Sequence, residues 1–99
     1  MYNYMEKSQY AGMTLKTKPD VGTDPLSHRD LGGVDFVVED WWKNVYGLSW
    51  MFSNGNPACM AYAIRSAGKV PVDNDVLYGK VDGLGFLFHI SELELPEEK

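Results

Sequence analysis

Apolar and polar residues alternate in "VDFVVED". Val34, Phe36 and Val38 fall on one side of an extended chain, and Asp35, Val37 and Glu39 on the other. That period of two predicts a strand. The rhythm changes in "NPACMAYAIRSAG". Asn56 offers a side-chain oxygen to an exposed backbone N–H, and Pro57 suits the first helical position, where its missing N–H costs nothing. Cys59, Met60, Ala63, Ile64 and Ala67 recur at helical spacing. They predict a helix over about 57–67 with that stripe buried and with Tyr62 and Arg65 on the opposite face. Gly68 is the expected stop, because it takes positive φ without strain.

A second extended pair follows in "DVLYGKVDGLGFLFHI". Asp82-Gly83 between two β-prone runs predicts a two-residue hairpin turn with both residues at positive φ. The turn fixes the register. Val81 lies opposite Leu84, Gly79 opposite Phe86, Leu77 opposite Phe88 and Asp75 opposite Ile90, all on one face expected to be core. Lys80 lies opposite Gly85, Tyr78 opposite Leu87 and Val76 opposite His89 on the other face. One short helix has the first face to cover, so the second is expected to be covered only in part.

Residues 1–33 keep no sustained period, and "KPDVGTDPLSHRDLGG" is rich in Pro, Gly and Asp, as loops are. Tyr2, Tyr4, Met5, Tyr10 and Met13 are too apolar for a plain disordered tail. The segment therefore reads as an extended arm with a short strand near Met13–Leu15, packed on its own domain or on another copy. "WWKNVYGLSWMF" leans towards β by its aromatic content and remains open between one strand and a strand–turn–strand pair. "SELELPEEK" reads as an acidic turn and tail. The organisation is an arm over 1–32, a compact domain over 33–95 and a tail over 96–99. The class is α+β: a small antiparallel sheet, or a partly open barrel, with one helix. The hairpin "YGKVDGLGFLFHISEL" is similar to the late hairpin of SH3-like barrels, which implies the barrel version of that fold.

Charge narrows the partners. The net charge is −5, but residues 1–29 carry four Lys/Arg against three Asp/Glu, and residues 30–99 five against eleven, a balance of +1 and −6. An acidic body disfavours direct binding to nucleic-acid phosphates and suits a basic surface on another protein, including one that itself grips nucleic acid. No run of 18 apolar residues is present, so no membrane span is expected. No basic n-region precedes an apolar stretch, and the one cysteine excludes an intrachain disulfide, so the expected compartment is cytoplasmic.

Catalytic and metal chemistry find few parts. Cys59, His28 and His89 are too few and too scattered for a structural metal site. "DNDVLYGKVDG" lacks a third calcium ligand at Leu77, and the "GLG" at 83–85 lies inside a hairpin rather than between strand and helix. Cys59 on a buried helix face is a small hydrophobe. His89, Ser91 and Glu92 are the parts of an acid–base site, but alternating strand positions would point them apart. No cofactor or metal is expected, and no enzyme activity.

What remains is aromatic. Trp41, Trp42 and Trp50 crowd one stretch, flanked by Glu39 and Asp40 rather than by Lys/Arg, so a base-stacking platform is disfavoured. Adjacent Trp41 and Trp42 on a strand face opposite ways, leaving one as an interface anchor. The expected partner-binding set is Trp41, Trp42, Tyr78, Leu87 and His89, rimmed by Glu39, Asp40 and Asp73. The function expected is non-enzymatic binding of a protein with a basic and apolar surface, as by an accessory or counter-defence (anti-CRISPR-like) inhibitor of a phage or mobile element. The alternatives are an oligomeric sensor or sponge for a nucleotide-type small molecule, and a structural protein of a virion joined through the N-terminal arm.

Overall fold

The computed structural model describes residues 9–39, 52–67, 69–72 and 75–96. The chain runs β1 (Thr14–Thr17), a 3-10 turn (Pro19–Val21), β2 (Asp35–Val38), α1 (Pro57–Ser66), β3 (Val76–Val81), β4 (Leu84–His89), a second 3-10 turn (Ile90–Glu92) and β5 (Leu93–Glu94). The strands form one antiparallel sheet in the order β4-β3-β2-β1-β5. With one helix laid on this sheet, the fold is α+β.

The hairpin register is as the turn dictates. Asp82 and Gly83 take φ of 52° and 82°, and six pairs run from Val81↔Leu84 to Val76↔His89. Leu77, Val81, Phe86 and Phe88 are buried on the first face with Leu15, Phe36, Val38, Leu31 and Leu93. Phe36 meets Phe88 edge to face, centroids 4.8 Å apart. Gly79 pairs with Val38 where β3 passes under the Phe36 ring. A Cβ there would strike the Val37 carbonyl and the Phe36 ring, so only glycine lets the ring lie over the strand.

Three expectations are corrected. The first concerns the arm. From residue 9 on, the segment expected as an arm belongs to the domain, and β1 sits inside the sheet between β2 and β5. Four residues, "TLKT", are too short to show a period, yet Leu15 and Thr17 point inward and Thr14 and Lys16 outward. Thr17 then organises the loop that follows. Its buried hydroxyl donates to the Leu31 carbonyl at 2.6 Å and accepts from the Val34 N–H at 2.8 Å. Leu31 is thereby plugged into the core. The second concerns the C-terminal stretch. "SELEL", read as an acidic turn at the end of the compact domain, also supplies an edge strand paired with β1.

The third concerns the helix. Asn56 Oδ1 accepts from the Ala58 N–H as expected, and Pro57 opens the helix. The left-handed residue at the end is Ala67, whose N–H reaches the Ala63 carbonyl. The buried face, however, is turned away from that stripe: of the stripe Cys59 is buried, together with Ala58, Ala61, Tyr62 and Ser66, while Met60 and Ile64 are 50% and 54% exposed. α1 lies on the second face of the hairpin, over Val76 and Leu87, with Phe52, Val70 and Tyr78 at the margin. The first face needs no helix, because the loop residues Leu31 and Val21 and the edge residue Leu93 close it. Of the aromatic segment Phe52 is described; residues 41–51 and the arm residues 1–8 lie outside the described residues.

Candidate functional site: an acidic cleft beside the helix N-terminus

Of the residues expected to bind a partner, Trp41, Trp42, Asp40 and Asp73 lie outside the described residues. The others do not form the open aromatic patch that was expected. Leu87 is fully buried under α1. Tyr78 is half-buried, its hydroxyl 2.5 Å from the place a Cβ would take on Gly85. Glu39 is half-buried at the end of β2, where its N–H reaches the Tyr78 carbonyl. The second face is a core layer, because the helix covers it.

His89, Ser91 and Glu92 do come together, contrary to the strand-alternation argument. The chain leaves the strand at His89 and curls into a 3-10 turn. His89 Nδ1 accepts the Ser91 N–H at 3.1 Å and lies 2.9 Å from Ser91 Oγ. Glu92 Oε1 accepts the His89 N–H at 3.0 Å. This is a capping box, in which both side chains satisfy backbone donors. Glu92 Oε1 also receives Arg65 Nη2 at 3.0 Å, and that guanidinium lies 4.8 Å from the Phe88 ring and donates to the Leu87 carbonyl. The triad is thus committed to locking the helix onto the sheet. Cys59 is inert in the same layer, with burial pushing its thiol up to about 11. No group of three or more His, Cys, Asp or Glu among the described residues is placed to hold a metal.

The feature the sequence reading missed is a cleft of about 380 Å³. One wall is the loop after the first 3-10 turn. A Thr23–Asp30 bridge, with the Asp24 N–H donating to the Arg29 carbonyl at 2.8 Å, folds that loop into a small ordered hairpin. Asp24 holds the tip through Oδ2, which accepts from the Ser27 N–H at 2.6 Å and the Ser27 hydroxyl at 2.7 Å. The second wall is the start of α1, with Pro57, Ala58 and Ala61; the floor is Tyr78, Gly85 and Phe86. Leu26 and Leu84 stand on the rim, 47% and 44% exposed. Asp24 itself is 2% exposed, and its Oδ1 has no hydrogen-bond partner among the described residues. The signal available in the sequence was "DPLS": Asp before Pro, with Ser three residues on, is a side-chain-capped turn. A second cleft of about 270 Å³ lies by Lys18, Lys69, Arg65 and Glu92.

No protein-family model matches the chain, and no curated protein or solved structure matches it. No helix among the described residues is long and apolar enough to cross a membrane.

Proposed function

We propose that the protein is a small non-enzymatic binding protein that acts by surface contact with another protein. The observation that carries this reading is the distribution of exposed apolar side chains. Met60 and Ile64 stand free on the outer face of α1, and Leu26 and Leu84 stand on the rim of the cleft. Single exposed apolar residues are ordinary, but here they adjoin a concavity floored by Phe86 and Tyr78. Pro57, Ala61 and Ile64, spaced by four and three, carry the apolar strip from the cleft wall to the outer helix face. This reading puts the partner-facing surface on the cleft and the helix rather than on Leu87 and His89, and keeps Tyr78 as part of the cleft lining. The net charge of −5 favours a partner whose apolar contact is ringed by Lys/Arg. An inhibitor of a nucleic-acid-gripping protein is one case of this, and a cytoplasmic setting suits it. The strand order, with a 3-10 turn leading into β5 beside β1, supports reading the sheet as a partly open SH3-like barrel.

A small-molecule sensor is the competing reading, and the cleft volume favours it, being at the low end for small-ligand sites. Native mass measurement of the protein recovered gently from its own cells separates the two. The reading calls for the 11.2 kDa chain carrying a protein-sized partner that dissociates as salt rises and is lost in Met60→Glu/Ile64→Glu. A retained small-molecule mass instead, or multiples of the chain alone, would overturn it.

A further inference from the structure

We propose that the cleft receives an arginine side chain of the protein partner and that the free oxygen of Asp24 is its acceptor, an inference that rests on the surface-contact reading above. The turn at 24–27 needs one oxygen, and Oδ2 supplies it to both the N–H and the hydroxyl of Ser27. Asparagine makes the same turn without a charge. The charge of Asp24 is therefore surplus to the turn, and its second oxygen is buried and accepts nothing among the described residues. A buried acceptor with no donor is costly, and more so when charged. The cation next along the loop does not relieve it: Arg29 turns its Nη1 to Asp82, 3.0 Å away.

The rest of the cleft fits the stem and head of an arginine. Leu26, Ala61 and Phe86 give apolar walls for three methylenes. Tyr78 lines the cleft beside them, its ring edge and hydroxyl lying over Gly85. Guanidinium sheds water more readily than ammonium and stacks on aromatic rings, so arginine fits a half-dry site better than lysine. The smaller cleft has the opposite character, with Lys18, Lys69 and Arg65 on its lining, but Glu92 already neutralises Arg65 there.

The test is an amide-shift titration of the full chain by NMR with N-acetyl-arginine methylamide. N-acetyl-citrulline methylamide, of the same shape without the charge, is titrated in parallel. The arginine probe should shift the amides of Ser27, Ala58, Ala61 and Gly85 in a saturable way, at least tenfold more tightly than the citrulline probe. Asp24→Asn should abolish that difference while leaving the spectrum elsewhere unchanged. Equal response to the two probes in the unmodified chain, shifts confined to surface carboxylates, or a preference that survives in Asp24→Asn would each overturn the assignment. If Asp24→Asn does not fold, the comparison of the two probes on the unmodified chain decides by itself. Failure here leaves the surface-contact reading to its own mass measurement.

Discussion

Arg65→Met should cost about 3–5 kcal/mol, and the loss should come mainly from the charge left behind on Glu92. The two side chains are 4% and 12% exposed, with Nη2 3.0 Å from Oε1. At an effective dielectric of about 20, that separation gives a gross attraction of about 5 kcal/mol, most of it offset by desolvation of both ions. The guanidinium adds its bond to the Leu87 carbonyl and its contact with Phe88. Methionine keeps the stem packed against Tyr62 and Phe88 but leaves the carboxylate with the His89 N–H in place of a cationic partner. Glu92→Gln in the same chain removes that stranded charge while its amide oxygen still caps the turn. The double variant should therefore be about 2 kcal/mol more stable than Arg65→Met alone, and the two single losses should exceed the double loss by at least about 2 kcal/mol. Urea unfolding followed by far-UV circular dichroism measures all four corners of the cycle. Losses that add to within about 0.5 kcal/mol would refute the reasoning, since they would mean the pair is not coupled. A cost below about 1 kcal/mol for Arg65→Met would place the guanidinium in water rather than between helix and sheet.

Tyr62→Phe keeps the buried ring but removes the hydroxyl that donates to the Pro71 carbonyl at 2.5 Å, and should lower stability by about 1 kcal/mol in urea. No loss would mean that this bond does not tie the 69–72 segment to the helix. The Cys59 thiol, raised from 9.0 to about 11 by burial, should react with an aromatic disulfide reagent at pH 8 roughly 100-fold more slowly in the folded chain than in urea. The folded state holds this proton more tightly than the unfolded one, so the thiol's contribution is intact below pH 9 and falls away between pH 9 and 11. Denaturant midpoints that do not fall across that window would contradict the burial.

The parts of the fold that the sequence discloses are those in which a local rule has one solution. Asp82-Gly83 admits one turn, and the turn admits one register, so Leu77, Val81, Phe86 and Phe88 could be assigned to the core from the chain alone. Asn56-Pro57 likewise fixes where the helix begins. β1 was missed as an interior strand because its strand character lies in pairing with β2 and β5, both distant in sequence. The Asp24 cleft was missed for the same kind of reason. Its walls come from residues 24–27, 56–61, 78 and 84–86, and no stretch of the chain carries more than a part of it.

The helix face is the instructive error. Summed apolarity favours Met60 and Ile64 as the buried side, yet Tyr62 and Arg65 go in and those two stay out. Long side chains with polar tips can be buried when the tips find partners: the Tyr62 hydroxyl meets the Pro71 carbonyl, and Arg65 meets Glu92 and the Leu87 carbonyl through Nη2 and the Phe88 ring through its face. Periodicity shows that a helix has two faces; which one is buried depends on partners beyond the helix, nine residues away for Tyr62 and more than twenty for Arg65. The exchange has a consequence for binding. A helix packed through Tyr62 and Arg65 no longer needs Met60 or Ile64 for its own stability, so both remain exposed beside a cleft lined by Asp24, whose buried Oδ1 has no hydrogen-bond partner among the described residues. A surface stripe that folding does not use, next to a charge that the turn does not use, is where substitution should separate binding from stability. Met60→Glu/Ile64→Glu and Asp24→Asn should leave the fold intact and change what it holds.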